Sequence, residues 1–415
     1  MEWVQHCIWW HVYPLGFCDA PRTADAARGE PRLRKLLSWL DYAVELGVNG
    51  LMLGPVFASQ THGYDTLDHF RIDPRLGSDS DLDDLIAACR ARGLRVVLDG
   101  VFSHVGDQHP LALDAARTGF EGPAAEWLDI DRTAPGGPRP RVFEGHGSLV
   151  RLNHRAPQVA AYVADVMNHW LDRGIDGWRL DAAYSVGPEF WATVLPAVRE
   201  RHPGAWVFGE VIHGDYAAFV AESGVDSVTQ YELWKAIWSS LVDRNFFELD
   251  WALTRHNDLL EHLTPVTFVG NHDVTRIASA VGSDAAVVAL AILMTVGGIP
   301  SVYYGDEQGW TGIKEDRAGG DDAVRPAFPA GPDRLAIEGA GIYRAHQDLI
   351  GLRRRHAWLV TATTEAIAIT NTRYVYRARS ADGADTLVVE VDVTDAPCVV
   401  IRDGDGAALW SSARE

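Results

Sequence analysis

Three carboxylates in this chain stand just past apolar runs: Asp181 after Ile175 to Leu180, Glu210 after Trp206 to Phe208, and Asp273 after Val266 to Val269. They fall in the segments Gly177-Trp178-Arg179-Leu180-Asp181, Phe208-Gly209-Glu210 and Gly270-Asn271-His272-Asp273, and a fourth segment, Asp99-Gly100-Val101-Phe102-Ser103-His104, precedes them. Carboxyl groups can cleave an acetal, one attacking the anomeric carbon while another protonates the leaving oxygen. Retention of configuration needs the two about 5 to 5.5 Å apart on opposite faces of the sugar. A single acidic residue at a strand end is more often a helix cap or loop residue. Four such segments, with two histidines and an arginine among them, point instead to a retaining glycosidase.

Catalytic side chains at the C-terminal ends of several parallel strands are what a barrel enzyme requires. The sequence predicts eight strands, near residues 8–13, 48–53, 94–99, 175–181, 206–210, 225–229, 266–270 and 299–303. Helical periodicity lies between them at Arg32 to Leu46, at Asp81 to Arg92 with Ser80 as cap, at Gln158 to Arg173, at Glu189 to Arg201 and at Leu335 to Arg355. This alternation predicts a parallel, right-handed α/β fold, a (β/α)8 TIM barrel. The third connection, Ser103 to Arg155, is too long for a simple loop and carries the run Ala134-Pro135-Gly136-Gly137-Pro138-Arg139-Pro140, which predicts a small inserted domain. Beyond Trp358 the pattern alternates at Tyr374 to Ala378 and Thr386 to Asp392, with a last strand at Cys398 to Ile401. This predicts a short C-terminal antiparallel β module covering the barrel bottom. The expected organisation is a catalytic barrel of residues 1–103 and 156–357, an inserted domain B of 104–155 and a C-terminal β domain of 358–415.

The 415 residues exceed the roughly 250 of a plain barrel. With 37 basic against 57 acidic residues the formal charge is −20, which repels phosphate backbones and argues against a nucleic-acid partner. Cys7, Cys18, Cys89 and Cys398 are scattered without zinc spacing. Ala285 to Val296, the longest apolar stretch, is shorter than the roughly 20 residues of a membrane span and ends in Gly297-Gly298, so it is expected to be a buried barrel helix. The chain enters its first strand near Ile8 with no basic leader ahead of it, and a cytoplasmic protein is expected.

The order of these segments resembles the alpha-amylase family of glycoside hydrolases, and within it the neopullulanase, cyclomaltodextrinase and maltogenic amylase branch. The resemblance runs from about Trp9 to Arg355. It is carried further by Gly63-Tyr64-Asp65-Thr66, Ile72-Asp73-Pro74-Arg75-Leu76-Gly77, Leu152-Asn153, Tyr231-Glu232-Leu233-Trp234-Lys235-Ala236 and Gly298-Ile299-Pro300-Ser301-Val302-Tyr303-Tyr304-Gly305-Asp306-Glu307. It implies that Asp181 is the nucleophile, Glu210 the acid/base and Asp273 the third acidic residue, which binds sugar hydroxyls at the scissile ring. It also implies substrate contacts from His104, His272 and a stacking Tyr64. Arg179, two residues before Asp181 and on the same strand face, is expected to keep the nucleophile ionised, while burial and neighbouring carboxylates are expected to raise Glu210. Asp99, grouped with the substrate-site residues, is expected to be structural, orienting Arg179 or holding the strand end, and Asn153 matches a family position in the inserted segment.

Several departures from the family pattern matter. Ser103 stands where the family commonly has a calcium-ligating Asn, so no metal or other cofactor is expected to be required. Ile212 stands where the branch usually places Trp two residues after the acid/base, with His213 kept; Ala182-Ala183-Tyr184 replaces an Asn-Glu pair. Tyr184 is expected either to supply the missing stacking surface or to pack under the inserted domain. No counterpart of the N-terminal sandwich domain through which many members dimerise is expected from the residues ahead of Trp9, so their oligomeric state is not carried over.

The expected activity is hydrolysis of alpha-1,4 and some alpha-1,6 bonds in maltooligosaccharides. An alpha-glucosidase, a glucanotransferase or a trehalose-type isomerase would use the same residues. A non-catalytic carbohydrate-binding relative would be marked by loss of a catalytic carboxylate, and all three are present.

Overall fold

Eight short strands make the frame: β1 (Trp9–Val12), β2 (Gly50–Leu53), β3 (Arg95–Gly100), β4 (Gly177–Leu180), β5 (Trp206–Gly209), β6 (Ser227–Val228), β7 (Val266–Phe268) and β8 (Ile299–Tyr303). In the computed structural model, which describes residues 2–24, 29–317 and 319–413, they hydrogen-bond in the order β6-β5-β4-β3-β2-β1-β8-β7. All neighbouring pairs are parallel. A parallel bridge from Thr229 to Val266 joins the two outer strands and closes the ring. The expected barrel is therefore the observed one.

Alternation along these strands divides two cores. Trp9, Met52, Val97, Trp206, Phe208, Val266 and Ile299 point inward and form their own cluster. Within it the Trp9 and Trp206 rings stack at 5.5 Å and 3°. Gly50 makes room for that stack, since a Cβ there would lie 2.3 Å from the Trp9 ring. Trp10, Leu51, Val96, Trp178 and Val207 point outward into the larger core beneath the helices. The barrel centre is thus plugged with indole, and polar side chains are left for the C-terminal rim.

The helices follow the predicted positions with local corrections. Ser80 is not the cap of its helix, which runs Asp79–Ala91 with Ser78 at the N-cap. Asp81 decides this: its Oδ2 accepts from the Ser78 amide at 2.9 Å and the Ser78 hydroxyl at 2.7 Å, a reciprocal cap that needs the acid three residues on. The expected helix from Arg32 to Leu46 divides into a 3-10 segment, Arg32–Trp39, and an α-helix, Leu40–Leu46. The last barrel helix begins at Ala340, after Gly339, instead of at Leu335. The apolar helix Ser283–Thr295 is buried as expected, and no helix among the described residues is long and apolar enough to cross a membrane.

Residues after β3 form two short antiparallel ribbons, His104–Gly106 with Leu149–Arg151 and Ile130–Asp131 with Arg139–Pro140, beside the helix Pro110–Arg117. The C-terminal sheet has five antiparallel strands: β9 (Thr363–Ile369), β10 (Arg373–Arg379), β11 (Thr386–Asp392), β12 (Cys398–Asp403) and β13 (Ala408–Ser411). The two outermost, β9 and β13, escaped sequence reading because both are largely exposed and lack the alternation that burial imposes on β11. The sheet packs on barrel helices: Tyr376 hydrogen-bonds Thr295 at 2.6 Å, and the Tyr374 hydroxyl donates to Asp250 at 2.8 Å.

Candidate active site

The C-terminal ends of β3, β4, β5 and β7 deliver Asp99, Arg179, Asp181, Glu210 and the Asn271-His272-Asp273 run to one place. Tyr64 arrives from the ribbon Phe57–Ser59 with Thr66–Ile72, which follows β2, and His104 from the start of the inserted segment. Arg179 is the centre. Its Nη1 donates to both Asp99 oxygens at 2.7 and 2.6 Å and to Asp181 Oδ1 at 3.2 Å, and its Nη2 lies 2.8 Å from Glu210 Oε1. One guanidinium therefore serves three carboxylates. Glu210 also accepts from the Tyr231 hydroxyl at 2.9 Å and, at Oε2, from the Ala182 amide at 3.0 Å. Asn271 donates to the Tyr231 oxygen at 2.9 Å, tying the β7 end to the same network.

The third carboxylate is held differently. Arg325 donates to Asp273 Oδ1 at 2.7 Å and to the His272 carbonyl at 2.9 Å, and His272 Nε2 lies 2.8 Å from Asp273 Oδ2. The His272 ring stacks 5.5 Å from that of Tyr64, whose hydroxyl contacts both His272 Nε2 and Asp99. His104 sits between the Ser103 hydroxyl at Nδ1, 2.7 Å away, and the Tyr64 carbonyl at Nε2, 2.9 Å away.

Burial and the neighbouring charges separate these groups. Burial, then the facing Glu210, pushes the Asp181 carboxyl well above the ordinary carboxylate range despite Arg179. Burial likewise raises Asp99. Burial also works against ionisation of Asp273, but His272 and Arg325 outweigh it and hold that carboxyl well below the usual range. Burial lowers His104 to about 4, which keeps it neutral. Arg179 favours the ionised form of Asp181 as expected, but its guanidinium lies closer to Asp99 and Glu210 than to Asp181, and burial and the Glu210 charge outweigh it.

These groups border a cavity of about 360 Å³ that Tyr64, His104, Asp181, Glu210 and Asp273 line directly. Asp99, Arg179 and His272 lie under it, buried, and act on its lining. Asn153 is elsewhere: its amide donates to the Glu126 carbonyl at 2.9 Å, and the residue lines a separate cavity. Sequence reading passed over several residues of the site, four of which matter most here. Tyr231 stood in a motif quoted only for its family resemblance. Phe143 and Glu144 of the inserted segment, and Arg325 after β8, lie in irregular stretches whose periodicity says nothing about them. Tyr184 lines the cavity and also reaches the inserted segment, its hydroxyl donating to Glu144 Oε1 at 2.6 Å.

The residues do not fit the calcium site that the family resemblance raises. The Ser103 hydroxyl is engaged with His104, and its carbonyl accepts from the Leu152 amide at 3.2 Å. Among the described residues, no three His, Cys, Asp or Glu side chains group as metal ligands would.

A closed (β/α)8 barrel carrying a carboxylate cluster around one arginine at its C-terminal rim defines a barrel glycoside hydrolase. The alpha-amylase catalytic domain matches residues 11–140 and 141–334, and the chain belongs to the alpha-amylase family. A cyclomaltodextrinase of Geobacillus thermopakistaniensis is 28% identical over 99% of this chain and 72% of its own length. An intracellular maltogenic amylase of Bacillus subtilis is 29% identical over 75% of this chain and 57% of its own length. Among solved structures, a cyclic alpha-maltosyl-(1→6)-maltose hydrolase from Arthrobacter globiformis superposes with a TM-score of 0.82 at 25% identity, covering 98% of both chains.

Proposed function

We propose that this protein is a retaining alpha-glucan hydrolase that cleaves alpha-1,4, and some alpha-1,6, glucosidic bonds of maltooligosaccharides. The observation that carries the reading is the sharing of Arg179 by Asp181 and Glu210 on the wall of one cavity, with Asp273 facing them. In the first step the Asp181 carboxylate attacks the anomeric carbon, the glycosidic C–O bond breaks, and Glu210 gives its proton to the leaving oxygen. In the second, Glu210 takes a proton from water, whose oxygen attacks the same carbon and releases Asp181. The first step needs one proton on the Asp181–Glu210 pair, and the second needs Glu210 as the carboxylate. The raised Asp181 carboxyl keeps that proton in the pair, and substrate binding must leave it on Glu210. Asp273, held ionised by Arg325 and His272, is suited to accept from sugar hydroxyls and to stabilise the oxocarbenium-like transition state.

Residues 1–103 and 156–357 would form the catalytic barrel, 104–155 the inserted domain and 358–415 the C-terminal domain. A cytoplasmic setting is supported by the intracellular relative. Incubating wild type and Asp181→Asn with maltotriose and resolving the products by chromatography tests the assignment. Glucose and maltose from wild type alone are expected; full activity in the variant would overturn it. A second reading, an exo-acting alpha-glucosidase, is favoured by Lys314, Asp321 and Arg325, which line the cavity and form a chain of ion pairs that ends on Asp273.

A further inference from the structure

Two residues outside the carboxylate cluster, from different parts of the chain, meet at the lining of its cavity. Glu144 belongs to a three-residue 3-10 turn, Phe143–Gly145, in the inserted segment, and Tyr184 to the turn that follows Asp181. The Tyr184 hydroxyl donates to Glu144 Oε1 at 2.6 Å across 40 residues of sequence. Glu144 holds left-handed backbone angles, φ 46° and ψ 31°, which side-chain-bearing residues rarely adopt without a tertiary reason. Its neighbour Phe143 stacks on His104 with ring centroids 4.7 Å apart, anchoring the turn to the cavity wall. Tyr184 is anchored as well, because its amide donates to the Glu210 carbonyl at 3.3 Å.

We propose that Glu144 and Tyr184 form a latch on the leaving-group side of the cavity that selects hydroxyl-bearing leaving groups. The inference rests on the hydrolase reading above, and both residues line the cavity beside Asp181 and Glu210. Ile212, 41% exposed and two residues past Glu210, supplies an apolar surface on the same wall. Glu144 supplies the polar part: the residue is exposed at the cavity, Oε1 is taken by Tyr184, and among the described residues Oε2 has no hydrogen-bond partner, which leaves it for a sugar hydroxyl. A carboxylate accepts and does not donate, so a leaving group with hydroxyls gains a bond there and an aryl leaving group gains none. The backbone angles of Glu144 and its bond to Tyr184 fix that acceptor in place, as specificity of this kind requires.

The test compares kcat/KM on maltotriose with kcat/KM on 4-nitrophenyl alpha-glucoside, whose leaving group bears no hydroxyl once bound. Glu144→Gly removes the carboxylate while suiting the left-handed backbone, so loss of fold does not confound it. Tyr184→Phe keeps the ring and frees the carboxylate. Glu144→Gly should lower the maltotriose value relative to the aryl value by about ten-fold or more, the scale of one hydrogen bond to a charged group, mainly through KM, and Tyr184→Phe, which keeps the acceptor but removes its anchor, should lower it by less. An unchanged ratio in Glu144→Gly with wild-type thermal stability overturns the latch and leaves the hydrolase reading standing. A wild type that cleaves neither substrate overturns both.

Discussion

Arg179 spends its Nη1 on both oxygens of Asp99, at 2.7 and 2.6 Å, and lies farther from Asp181, at 3.2 Å. A residue two positions before the nucleophile thus gives most of its charge to a carboxylate on the neighbouring strand. Asp99 draws on the same positive charge as Asp181, and it adds negative charge close by.

A pH prediction follows. The raised Asp181 carboxyl is ionised, the form that attacks, only above the ordinary carboxylate range, so kcat/KM should rise with pH through that window. In Asp99→Asn the guanidinium is released toward Asp181 and one negative neighbour is lost. The Asp181 carboxyl should fall, and the acid limb of the kcat/KM profile should move to lower pH. An unmoved limb would mean that Asp99 already carries a proton in the wild type.

Arg325 offers a second test. It holds Asp273 from the loop after β8, and with His272 keeps that carboxyl ionised against burial. Arg325→Met should cut kcat/KM by roughly 10²-fold, the scale of one lost electrostatic contact in an active site. Because the Asp273 carboxyl should then rise, the deficit should deepen as pH falls. Rate profiles of variant and wild type between pH 5 and 8 check this; a deficit independent of pH would contradict it.

The barrel interior can be tested by one methyl group. Gly50→Ala drives a Cβ to 2.3 Å from the Trp9 ring, which is stacked on Trp206. Overpacking of this kind should cost about 1 to 3 kcal/mol, measured by urea unfolding. An unchanged midpoint would mean that the indole stack yields freely.

How much of this was legible in the sequence follows from how strongly burial and spacing constrain each part. The eight barrel strands are largely buried on both sides, so they are apolar runs that end at candidate carboxylates, and Asp181, Glu210 and Asp273 were singled out by that ending together with the family resemblance. The edge strands β9 and β13 face solvent and carry no such imprint. Ser80 looked like a cap because it stands beside the helix start, whereas Ser78 is the one three residues before Asp81. Arg325 and Glu144 reach the site through irregular loops, and only the folded chain brings them to residues 52 and 40 positions away. The electrostatics were the least legible part, because a residue's spacing fixes the face it points from but not which carboxylate an arginine prefers.

The central claim is a double displacement through Asp181. The most direct measurement is the anomeric form of the reducing end newly created on cleavage of reduced maltotriose (maltotriitol), which has no anomeric centre of its own to equilibrate, followed by proton NMR before mutarotation sets in. Retention predicts that the alpha anomer appears first and the beta anomer only as equilibrium is reached; a beta anomer appearing first would mean a single inverting displacement and would contradict the account.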